Sequence, residues 1–221
     1  MQRVYFISGL GADKRVFEKL DLTWCEPVFV RWIRPLSKES LPAYAARLRR
    51  QIGDTSPIIV GISFGGMLAA EMLRVDPSVT IILLASIQNS KELPRWYRLG
   101  KYLPLYRVLP RPLLLPGNFI SQWLFGVRSA AGRQTFNQIV QNTDSDFVRW
   151  AIWSILHWKT ASALPPGIIH IHGTKDRVLP CPAGITTHKI QGGGHLLPLE
   201  YPETISQLLK NHILSPGTVI Y

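Results

Sequence analysis

The pentapeptide Gly61-Ile62-Ser63-Phe64-Gly65 constrains this chain more than any other feature. It reads G-x-S-x-G, and alone the pattern is weak. With glycine near 7% of residues and serine taken as similar, it arises by chance in roughly 7% of chains this long. Its setting carries the information. Pro57-Ile58-Ile59-Val60 reads as a short buried strand, and the residues from Gly66 to Arg74 read as a helix. A serine on so tight a strand-to-helix turn is held at strained backbone angles, and the converging strand and helix need small neighbours, which glycine at 61 and 65 supplies. The helix that starts there directs N–H groups and a positive dipole end at the space beside the serine, where an oxyanion would form. The competing reading is an ordinary tight turn that happens to contain serine.

A serine hydroxyl is a weak nucleophile at neutral pH. It needs a base, and the base needs an orienting group. The serine turn resembles that of the α/β-hydrolases, and that resemblance implies an acid and then a histidine after the serine in the chain. Residues 167–172 read as a strand that runs through Gly173 into Thr174-Lys175-Asp176. An acid just past the C-terminal end of a strand lies where ligand-facing groups collect in open parallel sheets, so Asp176 is the expected orienting acid. A last short strand ends in Gln191-Gly192-Gly193-Gly194-His195. Three glycines let that loop carry a ring close to other backbone, and His195 is the expected general base. The bland alternatives are a turn-capping aspartate and a surface-loop histidine. His170 alternates with Ile169 and Ile171 within a strand and is expected to be buried or to face a helix, while His172 is placed to support the Asp176 loop. His157 lies in an aromatic helix, while His188 and His212 have no acid or serine partner nearby in sequence. No His or Cys spacing suggests a metal site.

The oxyanion needs two donors. Residues 3–7 read as the first strand, followed by Ser8-Gly9-Leu10-Gly11-Ala12. That loop is placed to give one backbone N–H, from Leu10. The residue after the nucleophile, Phe64, is placed to give the other. The alternative for Gly9 and Gly11 is a plain strand-to-helix turn.

Taken in order, SGLGADKRVF, GISFGG, HGTKD and GGGH followed by a proline-bearing helix make this chain resemble the α/β-hydrolase superfamily over nearly its whole length. The resemblance implies a Ser-His-Asp hydrolase built on a parallel sheet with a cap. Many relatives have His-Gly in the first loop where this chain has Ser8-Gly9, so the bonds that support the loop are expected to differ. The chain starts directly at the strand carrying that loop, without the family's first two antiparallel strands. The expected fold is therefore α/β: a mostly parallel sheet of about six strands, helices on both faces, and a helical cap insertion. Strands are expected at 3–8, 27–33, 57–62, 79–85, 167–172 and 186–190. Helices are expected near 13–20, 40–52, 64–75 and 202–213.

The domain division follows from length and charge. At 221 residues one α/β domain with an insertion is the natural fit. Residues 1–90 and 163–221 form the expected core, and 91–162 the expected cap. Lysine and arginine exceed aspartate and glutamate by 11 over the chain, and residues 91–162 alone hold 10 basic against 3 acidic side chains. The same segment holds five of the seven tryptophans: Trp96, Trp123, Trp150, Trp153 and Trp158. Asp144 to Asp146 can cap a helix. From Phe147 to Trp158 the apolar residues nearly encircle that helix, which predicts burial on more than one side. The proline-rich run from Leu103 to Pro116 breaks the cap into short pieces.

Aromatic and basic residues together fit a lid with an apolar inner face, a pocket for an apolar acyl chain, or transient contact with an anionic membrane surface. They also fit a plain cap core with a solubilising surface. No nucleic-acid-binding motif accompanies the charge. No apolar stretch of about 20 residues is present, and the first residues enter a strand without a signal-peptide pattern. Cys25, expected at a strand edge or in the core, and Cys181, between Pro180 and Pro182, give no disulfide framework. A reduced, cytoplasmic protein is the expectation; the oligomeric state is open. The leading function is a serine hydrolase of an ester or related acyl bond on a small molecule with an apolar portion, needing no metal or organic cofactor. An acyltransferase using the same triad, or a binding protein on the same fold, are the alternatives.

Overall fold

The apolar runs become one parallel sheet. The computed structural model describes residues 1–110, 117–160, 164–184 and 186–215. Its strands are β1 Gln2–Ile7, β2 Cys25–Phe29, β3 Ile58–Ile62, β4 Thr80–Leu84, β5 Ile169–Gly173 and β6 His188–Ile190. They lie in the order β2-β1-β3-β4-β5-β6, and each neighbouring pair is parallel. The side-chain period of two divides the core. Tyr5, Ile7, Ile59, Ile81 and Leu83 pack on one face against α1 (Leu41–Arg49) and α2 (Phe64–Val75). Val4, Phe6, Val60, Ile62, Ile82, Leu84 and Ile171 face the other side.

Between β4 and β5 the chain forms α3 (Leu99–Tyr102), α4 (Phe119–Phe125), α5 (Ala130–Asn142) and α6 (Ser145–Leu156). After β6 come α7 (Leu197–Glu200) and α8 (Pro202–Leu214). Phe147 and Ala151 of α6 join the first core, whereas Phe136 of α5, Leu197 of α7 and Ile205 and Leu209 of α8 join the second. Asp144 caps α6 by accepting from the amides of Asp146 (2.8 Å) and Phe147 (3.4 Å). Residues 111–116 of the proline-rich run and 161–163 at the expected cap boundary lie outside the described residues.

Two expected elements are corrected. The helix expected over 13–20 is one 3₁₀ turn, Lys14–Phe17, capped by the Asp13 side chain on the Arg15 amide. That single turn already buries Val16 and Phe17, and the Phe17 ring meets Phe6 at 5.2 Å and Phe29 at 6.1 Å. The strand expected over 27–33 is Cys25–Phe29. Its partner β1 stops at Ile7, so past Val30, whose amide reaches the Phe6 carbonyl at 3.0 Å, no neighbouring strand remains. β2 is also an edge strand, which is why Pro27 fits within it.

The topology fixes where a site can form. From β1 the chain moves to β2 on one side, and β3 pairs on the other side of β1. The loops leaving β1 and β3 therefore diverge at the C-terminal edge, the position where open α/β sheets bind ligands.

Candidate active site

Ser63 sits between β3 and α2 at φ 53°, ψ −118°, a left-handed conformation that a non-glycine residue adopts only when its surroundings enforce it. The surroundings are glycines. A Cβ on Gly61 would lie 2.6 Å from the Gly65 carbonyl oxygen and the Gly66 Cα. One on Gly65 would strike the carbonyl oxygens of Ile7 and Ser8 at the end of β1. Strand, turn and helix are thus in backbone contact. The Ser86 hydroxyl, just past β4, donates to the Ser63 carbonyl oxygen at 2.7 Å and ties the turn down from the far side.

The three residues expected to act together are together. Ser63 Oγ is 2.8 Å from His195 Nε2, and His195 Nδ1 is 2.7 Å from Asp176 Oδ2. A carboxylate only accepts, so this chain of contacts places the imidazole hydrogen on Nδ1 and leaves Nε2 to accept from the serine. Asp176 and His195 are buried. The other Asp176 oxygen accepts from the amides of Val178 and Leu179, both at 2.9 Å. Burial by itself would raise the Asp176 pKa. Its electrostatic attraction to His195, hydrogen bonds from the His172 and His195 rings and the Leu179 amide outweigh it and hold the carboxyl well below the usual carboxylate range.

His172 supports the Asp176 loop, as its place in the sequence leads one to expect. Its Nε2 lies 2.7 Å from the Leu179 carbonyl and 3.1 Å from Asp176 Oδ2. Both are acceptors, so Nε2 carries the hydrogen. Its Nδ1 meets His170 Nε2 at 3.1 Å. His170 is fully buried, and its Nδ1 is a buried side-chain atom with no hydrogen-bond partner among the described residues.

His195 is positioned through its backbone by α4. The Phe125 carbonyl accepts from the amides of His195 (3.1 Å) and Leu196 (3.3 Å), and the Phe125 ring meets the imidazole edge-on at 5.6 Å. Gly126, the left-handed cap of α4, packs so closely on Gly194 that a Cβ would come within 2.6 Å of the Gly194 Cα. The glycine loop is therefore pinned between α4 and the end of β5, where the Lys175 amide donates to the Gly193 carbonyl at 2.8 Å. In the sequence, the Asn118 cap with Ser121 and the closing Gly126 could have located α4, but not its contact with residue 195.

Leu10 and Phe64 line the same cavity as Ser63 and His195. The Leu10 amide has no hydrogen-bond acceptor among the described residues, and Phe64 is the first residue of α2, where amides have no partner within the helix. The first loop is braced without a His-Gly pair. Ser8 Oγ and Trp32 Nε1 both donate to the Ala12 carbonyl at 2.7 Å, and Thr143 Oγ1 donates to the Gly11 carbonyl at 2.5 Å.

The cavity has a volume of about 300 Å³. Its walls include Met67, Leu93, Leu124, Ile139, Val148, Ile152, Ile155 and Leu156, and among the described residues no aspartate, glutamate, lysine or arginine lines it. A larger cleft of about 970 Å³ lies across α6, lined by Trp32, Trp150, Trp153, Arg34, Lys38 and Asp146 among others. None of Leu10, Ser63, Phe64, Asp176 and His195 reaches it. The two spaces explain the apolar girth of α6: Val148, Ile152 and Ile155 face the smaller one, Phe147, Trp150 and Trp153 the larger. Among the described residues no group of three or more His, Cys, Asp or Glu side chains is arranged to hold a metal ion.

With this geometry in view, the chain belongs to the alpha/beta hydrolase family, whose sequence pattern matches residues 4–208. None of the curated protein sequences matches it. Solved structures resemble it over nearly the whole chain. A thermophilic esterase from Thermogutta terrifontis superposes with a TM-score of 0.74 at 18% identity, covering 99% of this chain and 91% of the esterase. An esterase from Exiguobacterium antarcticum gives 0.72 at 17%, covering 97% and 92%. The epoxide hydrolase of Bacillus megaterium gives 0.71 at 12%, covering 97% and 94%. The shared fold thus carries different reactions, and the site has to decide between them.

Proposed function

We propose that this protein is a serine hydrolase that cleaves an ester or related acyl bond on a small molecule with an apolar acyl part. One observation carries the reading: the continuous contact from Ser63 through His195 to Asp176 at the wall of an apolar cavity. In this reading residues 91–162 act as a cap that shapes the acyl pocket.

Ser63 Oγ attacks the carbonyl carbon as its proton passes to His195 Nε2. Asp176 holds the ring through Nδ1–H and stabilises the imidazolium that forms. The N–H groups of Leu10 and Phe64 stabilise the tetrahedral oxyanion, each on the order of 10²–10³ in turnover. Collapse expels the alcohol, which takes the proton from His195, and leaves an acyl group on Ser63. A water molecule then gives a proton to His195 as it attacks the acyl carbon. Release of the acid restores the serine. The uncharged cavity supports a neutral, apolar acyl group, because a charge left there would have no partner.

Hydrolysis of a series of p-nitrophenyl esters of short and medium acyl chains tests this. The wild type should turn them over, and Ser63→Ala should not. Activity that survives Ser63→Ala would sink the mechanism.

A further inference from the structure

Between residues 93 and 143 the sequence contains seven arginines and lysines and no aspartate or glutamate. The same stretch gathers most of the exposed large apolar side chains among the described residues. Among the described residues thirteen large hydrophobic side chains stand exposed, and nine of them fall in two runs within it. The first run holds Trp96, Leu99, Tyr102, Leu103, Leu105 and Val108; the second holds Phe119, Ile120 and Trp123. Scattered exposed leucines need no explanation, but such a concentration does.

The two runs are neighbours in space. Tyr97 Oη, within the first run, donates to the Val178 carbonyl at 2.9 Å. The adjacent residue Arg177 lies over the Trp123 ring at 4.2 Å and donates to the Trp123 carbonyl at 3.1 Å. Both runs are thus fastened to consecutive residues beside Asp176. Residues in or beside each run turn inward: Leu93 and Tyr97 at the first, Leu124 and Phe125 at the second, line the cavity that holds Ser63. Trp96, Phe119, Ile120 and Trp123 thus stand exposed on segments that also wall that cavity. Around them Arg95, Lys101, Arg107, Arg128 and Arg133 are exposed and make no ion pair with any carboxylate among the described residues.

We propose that this face docks on the surface of an anionic lipid bilayer. Trp, Phe, Tyr and Leu side chains enter the boundary between headgroups and acyl chains, and the arginines and lysines meet the lipid phosphates. Charge complementarity selects the occupant: an unopposed cationic run around an apolar patch matches a surface that is apolar beneath and negative above. Docking this way sets the cavity wall against the lipid, so an apolar substrate reaches it without crossing water. No helix among the described residues is long and apolar enough to cross a membrane, so the contact is peripheral and reversible.

Co-sedimentation of the full chain with vesicles tests the proposal. Vesicles of phosphatidylcholine with about 30% phosphatidylglycerol should bind the wild type at least tenfold more tightly than phosphatidylcholine alone, and about 0.5 M salt should weaken the binding severalfold. Arg95→Ser with Lys101→Ser should weaken it about twenty-five-fold, at about fivefold for each charge near the surface. Phe119→Ser with Ile120→Ser should weaken it about tenfold or more through lost apolar burial. Val75→Ser changes an exposed residue at the opposite end of α2 from Ser63 and should change nothing. Unchanged circular dichroism and melting temperature identify the variants as folded. Ser63→Ala should bind as the wild type does, so failure of the serine chemistry leaves this result standing. A wild type that stays in the supernatant, or surface variants that bind like the wild type, would overturn the proposal. Binding to polyglutamate without vesicle binding would also overturn it and assign the face to an acidic protein.

Discussion

His170 links acid to stability in a way that can be worked out from its surroundings. The ring is fully buried, and burial, together with the adjacent His172 and against a smaller opposing pull from the Ser86 backbone, pushes its pKa down to about 3. In the unfolded chain the same ring titrates near about 6.5. The folded pKa is the lower one, so between the two values the unfolded state binds the proton and the folded state does not. The penalty is therefore absent at neutral pH and grows as the pH falls from 6.5 toward 3. At about pH 5 the unfolded ring is almost wholly protonated and the folded ring neutral, which costs about 2 kcal/mol relative to about pH 7. At that pH the size is set by the unfolded value, and any folded pKa below about 4 gives the same result. Urea unfolding of the wild type and of His170→Gln at both pH values reads it out. Glutamine keeps a polar group toward His172 but cannot take up the charge. Other titrating groups are common to both proteins and cancel in the comparison. The wild type should lose about 2 kcal/mol more than the variant on going from about pH 7 to about pH 5. Equal losses would show that the folded state accommodates a charged ring at position 170, and would refute the reasoning.

Three further outcomes follow from particular contacts. Gly65→Ala puts a methyl group onto the carbonyls of Ile7 and Ser8, backbone that has nowhere to move; denaturant unfolding should show a loss of about 3 kcal/mol or more. Glu71 is buried and accepts from Trp158 Nε1 (2.9 Å), Thr160 Oγ1 (3.2 Å) and Arg74 Nη1 (2.9 Å). Glu71→Leu leaves the buried Trp158 Nε1 without its acceptor and removes one carboxylate from beside Arg74, and should cost about 1–3 kcal/mol by the same measurement. Ile152→Phe narrows the cavity; kcat/KM for acetyl esters should stay within about threefold, while that for octanoyl esters should fall at least about tenfold.

Much of the architecture was legible because it rests on local pattern. The serine-bearing turn at residues 61–65, the alternation of apolar strands and the three glycines before His195 all announce themselves within a few residues, and the sheet contains all six expected strands. The failures are equally physical. The run 13–20 has helical composition, but burying Val16 and Phe17 takes only one turn. The strand past Phe29 has the right residues and no partner to pair with. Support of the Asp176 loop by His172, four residues before it, was legible, but two contacts that position the site were invisible because they join distant residues: Ser86 to Ser63 and the Phe125 carbonyl to the His195 amide. Each pairs common residue types whose spacing carries no signature. The face formed by residues 93–143 was legible as charge and aromatic content, but which side chains turn inward depends on how the short helices pack.

The central claim is that Ser63 is an activated nucleophile, and reaction with a fluorophosphonate tests it most directly. Intact-mass spectrometry of the folded protein should show a single adduct, and peptide mapping should place it on Ser63. Asp176→Asn and His195→Ala should abolish or greatly slow its formation. Folded wild-type protein that gains no adduct, or gains it on another residue, would contradict the account.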